Sequence, residues 1–389
     1  MSAEFIKLIS DLQFERFNAH VAELVTKRTP FGIFFGFVVT PATAAADIQS
    51  LVKTGLNVTC AVVLADVQAN ALRKFVDVPV ITFEDFPRFG EKNFPVKPQE
   101  LLLKGSPKNF AFAPYFTRHG IEVLMLSNND YFLFVMKHLP ELYAAYEMLG
   151  SDESKKVFCA TIKGDITGKI ADYRFASEPQ YFLTGFEPTA GDIAIDGGAY
   201  DGGTSLAFAE RGAKVYAFEM DARNYKNCVA RIGRFGVKYD ITLENLGLSD
   251  KEIIGTYSGG GAGSQRIVNG KFTGKFIDLD TYVARNHLPR VDFIKLDIEG
   301  AELEMLHGAA KTITRCKPKM AISAYHKPED LWTLANYVKS LRSDYEFEFR
   351  HHRIDYTDYT MSADELAILK YFGLSHLVGA FCEYVLYCR

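Results

Sequence analysis

The chain has 389 residues, 48% of them hydrophobic and 24% charged, with a formal net charge of -4. That apolar content excludes a disordered chain, and the mild acidity argues against a nucleic-acid partner, whose phosphates favour a basic surface. No run reaches the roughly 18 to 20 apolar residues of a membrane-crossing helix, MSAEFIKLISDLQFERF has no basic n-region or cleavage site, and the six scattered cysteines form no CxxC, so a cytoplasmic chain with no transmembrane segment is expected.

Helical spacing over residues 5–28 ends before Pro30. Strands are then expected at Gly32–Thr40, Val58–Leu64, Val78–Phe83, Lys108–Ala113 and Ile121–Leu126. Helices fall between them at Pro41–Thr54 and Val67–Val76. This alternation reads as parallel βαβ units. A helical stretch runs from Tyr131 to Leu149 and breaks at Pro140, and Ser154–Tyr173 continues as a polar, amphipathic helix. The alternation restarts with strands at Asp192–Asp196, Lys214–Glu219, Ile241–Leu246, Phe293–Asp297, Lys319–Ala324, Tyr345–His351 and Phe381–Cys388. Helices are expected at Gly203–Arg211, Ala222–Phe235, Glu302–Cys316, Lys327–Arg342 and, short, near Ser362–Tyr371. Gly255–Gly263 reads as a loop or hairpin. The expected organisation is a Rossmann-like α/β domain over 1–150, a helical connector over 151–176 and a second α/β domain over 177–389.

The sharpest local signal is Asp196-Gly197-Gly198-Ala199-Tyr200-Asp201-Gly202-Gly203, directly after an apolar strand and opening a helix. Glycines there allow a tight turn and a close ligand approach to the backbone. The dinucleotide spacing GxGxxG is absent. The spacing D-x-G-x-x-x-G, with an acid at the strand end, suits S-adenosyl-L-methionine (SAM), which has no pyrophosphate to cradle. Glu219, beside Met220 at the tip of the next strand, can accept both ribose hydroxyls of an adenosine ligand. Leu246 and Asp250 follow the third strand, where an adenine would lie. The plain alternatives are a glycine turn joining strand to helix and an exposed acid after a strand.

The segments QYF (Gln180–Phe182), AIDGGAYDGGTSL, VYAFEMDARN, NLGLSD (Asn245–Asp250), FIDLDTY (Phe276–Tyr282), VDFIKLDIEGAELEML, AISAYHKPEDLW, FRHH (Phe349–His352) and EYVLYC occur in this order over about residues 177–389. In them the chain resembles the FkbM family of SAM-dependent methyltransferases. DFIKLDIEGAE is the most specific piece. The resemblance implies a class I SAM-methyltransferase fold, Rossmann-like, with a mostly parallel seven-stranded sheet whose last strand is antiparallel. It implies SAM as donor, S-adenosylhomocysteine as product, and methyl transfer to oxygen on a sugar, polysaccharide or natural product. Many members read NxG or VxG in the glycine loop, where this chain has Gly198-Ala199-Tyr200-Asp201. The glycines still fall in place, and Tyr200 and Asp201 bear on which acceptor fits.

A hydroxyl is a poor nucleophile until it loses its proton, so a base or a metal is expected. Asp297 ends its strand and opens the following helix at the carboxyl edge, where open α/β sheets bind ligands. It is expected to face the methyl group or the acceptor, unless it is an N-cap with Glu299 and Glu302 beside it in the first turn. His326 follows the next strand, and a neutral imidazole there would take the hydroxyl proton. Acceptor contacts are expected from Tyr181, Glu299, Arg350 and His352, with one of His351 and His352 facing outward. Asp297, Glu299 and His326 also carry the chemistry of a hard divalent site, but no HxH or compact acidic run supports one, so no metal is assigned. The first domain lacks the glycines of a nucleotide turn. It is expected to present the acceptor, bind a partner or form a homodimer. A nicotinamide-dependent oxidoreductase and an inert binding protein remain the competing readings.

Overall fold

The computed structural model describes residues 5–8, 17–36, 40–104, 107–124, 129–259, 264–355, 362–374 and 377–389. The chain divides into two units: Met1–Leu139 with Lys156–Phe175 and Arg353–Phe381, and Pro140–Lys155 with Ala176–His352 and Cys382–Arg389. No helix among the described residues is long and apolar enough to cross a membrane.

The first unit holds β1 (Pro30–Phe35), β2 (Asn57–Val63), β3 (Val80–Thr82), β4 (Glu100–Lys104) and β5 (Glu122–Leu124). They form one sheet in the order β3-β2-β1-β4-β5 with every pair parallel, which follows five strands of the doubly wound Rossmann order. Both faces of such a sheet are covered, so its strands read as continuous apolar runs. Alternate side chains of β1 accordingly enter different clusters: Phe31, Ile33 and Phe35 pack on one side and Phe34 on the other. Beyond β1, a Cβ on Gly36 would lie 2.1 Å from Asn109 Oδ1, so that side chain occupies the space over the glycine. The expected strand at Lys108–Ala113 is instead a 3-10 turn, Pro107–Phe112. The strand lies earlier, at Glu100–Lys104, whose ELLLK run pairs with β1 from Phe31↔Glu100 to Phe35↔Lys104.

After Ala176 the chain forms β6 (Ile193–Gly197), β7 (Lys214–Phe218), β8 (Ile241–Glu244), β9 (Gly247–Leu248), β10 (Ile253–Tyr257), β11 (Phe272–Ile277), β12 (Phe293–Leu296), β13 (Lys319–Ser323), β14 (Phe347–Asp355) and β15 (Leu377–Cys388). Seven of them form a sheet in the order β14-β15-β13-β12-β6-β7-β8. The pairs from β13 through β8 are parallel, and β15 runs antiparallel to β13. The expected mostly parallel sheet is thus present, as a mixed one. Strand order reverses between β6 and β12, the switch point at which such sheets bind ligands. The register there sets Lys295 beside Asp196 and Leu296 beside Gly197, so both strands end level.

The hairpin expected from Gly255 is present in part, and two other expectations need correction. The segment from Gly255 is partly strand: β10 pairs antiparallel with β11, and β9 pairs with β11, while residues 260–263 lie outside the described residues. The single helix expected at Glu302–Cys316 is two, Glu302–Gly308 and Ala310–Cys316. Gly308 sits where a Cβ would lie 2.2 Å from Ser249 O, so the first of them is pressed against the β9 turn. On β14 both histidines are buried, together with Arg350. The edge is covered by residues just before and within the Asp152–Thr167 helix: Gly150 N–H donates to Phe347 O at 2.8 Å and Phe349 N–H to Ser154 Oγ at 2.8 Å.

Candidate active site

The glycine loop leaves β6 at Gly197. Gly198 adopts φ 81°, and a Cβ on it would lie 1.8 Å from the carbonyl oxygen of Asp297. Only glycine meets both conditions, and the contact presses the loop against the end of β12. Gly202, at φ 82°, caps the helix Gly203–Glu210. Four of the loop's amides are already bonded within the protein: Gly198 and Ala199 donate to Phe218 O of β7, Gly202 donates to Ala199 O, and Gly203 donates to Asp201 Oδ1. Asp201 is in turn held by Arg231 at 2.5 Å. A loop wired this way offers no ring of free N–H groups to a pyrophosphate.

Glu219 follows β7 and is buried. Its two oxygens accept from Tyr200 N–H and Asp221 N–H, each at 2.8 Å. Each oxygen keeps a further lone pair for a ligand hydroxyl. Burial pushes the Glu219 carboxyl up to about 7 against the pull of those two amides. Asn245 Nδ2 donates to Glu219 O at 2.8 Å and to Met220 O at 3.3 Å, which ties the strand tip down, and Met220 and Leu246 are half-buried nearby in sequence. Asp250 is placed differently. It is exposed and lines a cavity of about 710 Å³ with Asp278, His307 and Lys311, none of which is a loop residue.

Beneath the loop, Asp196 is fully buried. It accepts from Ser205 Oγ at 2.5 Å and pairs with Lys295 Nζ at 3.1 Å. The Lys295 ammonium also donates to Gly197 O at 3.1 Å and Gly198 O at 2.8 Å. Burial disfavours the charged lysine, but Asp196 and Asp297 outweigh it and hold its pKa above the ordinary value. Asp196 is therefore the counter-ion of a lysine that grips the loop. Sequence reasoning passed over Lys295; its signal was one cation inside the apolar run FIKL.

Asp297 stands where β12 ends and accepts from Tyr181 Oη at 2.8 Å and Tyr325 Oη at 2.9 Å. Burial would raise its carboxyl, but Lys295, His326 and the two hydroxyls together hold it below the usual range. Asp297 does not open a helix. The helix starts at Glu302 with Ala301 before it, and the intervening turn holds Glu299 at φ 57° and Gly300 at φ 94°. The N-cap alternative therefore falls, and Glu299 lies outside the first helical turn. Glu302 is buried and accepts from Ile298 N–H at 2.9 Å. Tyr181 (φ 68°) and Tyr200 (φ 53°) share the left-handed backbone of Glu299, and such strain in non-glycine residues collects at functional sites.

The His326 side chain is 5% exposed among three carboxylates. Nδ1 lies 2.9 Å from Glu302 Oε1, and Nε2 lies 3.5 Å from both Asp297 Oδ1 and Glu299 Oε2. Burial would lower its pKa, but Glu302, Asp297 and Glu299 raise it to about 9. The three carboxylates thus favour the protonated imidazole over the neutral one that the sequence suggests. Glu299 is pushed up to about 7, first by burial and then by Asp297 and Glu302, with His326 opposing.

Arg350 and His352 join other networks. Arg350 Nη1 donates to Ser154 Oγ at 2.5 Å and pairs with Glu348 at 3.1 Å. His352 Nδ1 meets Glu178 O at 3.0 Å, so Nδ1 carries the proton and Nε2 accepts from Tyr387 Oη at 2.8 Å. Tyr387 Oη in turn accepts from Tyr181 N–H at 3.0 Å. His352 therefore reaches the site only through Tyr387 and the backbone of Tyr181. Tyr325, which sequence reasoning omitted, does touch Asp297; its signal was an aromatic hydroxyl just past the end of β13.

A sheet of this order, with a glycine loop after one central strand and an acid at the tip of the next, defines a class I methyltransferase fold. Residues 196–355 match the family model described as the methyltransferase FkbM domain. No curated protein matches the chain. Among solved structures it is similar to the methyltransferase FkbM from Methylobacillus flagellatus KT, at TM-score 0.63 and 22% identity, over 100% of this chain and 97% of that one. At that identity the likeness shows the fold. Weaker likenesses, which carry no argument, include a putative rRNA methylase from Clostridium thermocellum (TM-score 0.32, 10% identity, 55% and 96% of the two chains) and a Haemonchus contortus phosphoethanolamine N-methyltransferase 2 in complex with SAM (TM-score 0.29, 10% identity, 100% and 98%).

Proposed function

We propose that the chain is a SAM-dependent O-methyltransferase that acts on a hydroxyl of a sugar, polysaccharide or natural product. The observation that carries this reading is the direct apposition of Gly198 and Asp297. It brings the donor loop of β6 against the carboxylate that ends β12. In this reading Gly197–Gly202, Glu219, Met220 and Leu246 would hold SAM, with Glu219 accepting from its ribose hydroxyls. The internally bonded loop amides count against a nicotinamide dinucleotide. Methyl transfer to oxygen is an in-line displacement: the O–CH3 bond forms as the CH3–S bond breaks and S-adenosylhomocysteine leaves. Positioning the two reactants is worth roughly 7 to 11 kcal/mol of such a barrier. Asp297, fixed by Tyr181 and Tyr325, orients the acceptor hydroxyl, and Glu299 beside His326 receives its proton. Calorimetric titration with SAM, S-adenosylhomocysteine and NAD tests the reading. Saturable binding of the first two is expected, and binding of NAD alone sinks it.

Two further results are expected. Glu219 is raised to about 7, so its carboxyl is largely neutral at pH 6 and ionised at pH 8. Ribose hydroxyls donate to the ionised form, so SAM affinity should rise by roughly tenfold from pH 6 to pH 8. Glu219→Gln should flatten that profile, and an equal pH dependence in the variant would take Glu219 out of the donor site. Glu299→Gln should lower kcat by about 10²-fold or more, on the scale of general-base catalysis, with the SAM Kd unchanged. Unaltered turnover would free Glu299 from proton transfer.

A further inference from the structure

We propose that Asp297, Glu302 and His326 form a binding site for a hard divalent cation, Mg²⁺ or Mn²⁺, on the acceptor side of this centre. One oxygen of each carboxylate and one ring nitrogen of His326 lie within 4.8 Å of one another. Donors that share one such ion, each roughly 2.0 to 2.4 Å from it, fall within that span. The three residues come from two neighbouring strand ends, β12 and β13, and from the first helical position after the β12 turn.

A second observation points to a ligand. Glu302 is 1% exposed, and its Oε2 has no hydrogen-bond partner. Neither ring nitrogen of His326 makes a directed hydrogen bond, although Nδ1 is 2.9 Å from Glu302 Oε1. Buried polar atoms are almost always satisfied, so orphaned atoms on two adjacent side chains mark a missing partner. The outer contacts are those of a ligand shell already oriented: Tyr181 and Tyr325 hold Asp297, and Ile298 N–H holds Glu302 Oε1. Two carboxylates and one imidazole suit a hard or borderline divalent ion, whose binding displaces the ring proton of His326 to solvent. Such an ion would hold the acceptor oxygen and increase its acidity, with Glu299 left free to take the proton.

The catalytic role of the ion rests on the methyl-transfer reading, but its binding does not. The test is therefore titration of the full chain with MnCl2 in the absence of SAM, followed by calorimetry and by loss of the free-ion paramagnetic signal. One Mn²⁺ per chain is expected, with modulation of the spin echo by a coordinated imidazole nitrogen. Asp297→Asn and Glu302→Gln should each weaken uptake at least tenfold while circular dichroism shows the fold retained. No saturable uptake by the unaltered chain overturns the proposal, even if both variants fail to fold. Uptake with no imidazole coupling, or uptake unchanged in folded variants, also overturns it. SAM binding without Mn²⁺ binding would sink the ion site and leave methyl transfer standing; Mn²⁺ binding without SAM binding would do the reverse.

Discussion

Gly198→Ala is expected to abolish measurable SAM binding and to destabilise the second unit. The position adopts φ 81°, and the added Cβ would lie 1.8 Å from Asp297 O, a backbone atom that cannot swing aside. The left-handed conformation alone costs an alanine roughly 1–2 kcal/mol, and relief of such overpacking typically costs about 1–3 kcal/mol more. The strand ends can separate only by disturbing the Lys295 bonds to Gly197 O and Gly198 O. Donor binding should therefore fail before the fold does. Thermal denaturation and SAM calorimetry on the same sample check this. A variant with the parent's melting temperature and SAM affinity would mean that the loop does not rest on β12.

Asp297→Asn should leave the shape of the site nearly intact and remove its charge. Lys295 and His326 both lean on that carboxylate, and two tyrosine hydroxyls donate to it. An amide can accept through one oxygen only. Loss of an orienting group at a proton-transfer centre commonly costs about 10²- to 10⁴-fold in rate. We expect kcat to fall within that range, measured with a labelled donor on whichever hydroxylated acceptor a screen identifies, and SAM affinity to change only a few-fold. Equal losses in affinity and turnover would move Asp297 from methyl transfer to donor binding.

Some of the site was legible because chemistry and strand ends coincide in sequence. Apolar runs that stop at Asp196, Glu219 and Asp297 mark the carboxyl edge of a parallel sheet, and ligands bind there. Lys295 was missed because a lysine in a strand reads as an edge feature, whereas this one is buried with a counter-ion supplied by β6. His326 was located, but not the pull of its neighbours toward the protonated form. Its neighbours Asp297, Glu299 and Glu302 lie well before it in the chain, so their combined field exists only after β12 and β13 pair. Arg350 and His352 were placed by strand alternation alone, which has no information on what covers a sheet edge.

By itself the sequence determined the α/β alternation, the glycine loop and the acids at the strand tips, because these depend on local periodicity and on which residues tolerate a tight turn. Tertiary structure alone decided which side chains meet. Strand order set β12 beside β6 and brought Lys295 to Asp196. It turned Tyr181 and Tyr325 onto the Asp297 carboxylate and enclosed His326 among that group, Glu299 and Glu302. Proton affinities and the convergence of donor atoms follow from distances between segments far apart in the chain, and those distances are set by the packing of the sheet.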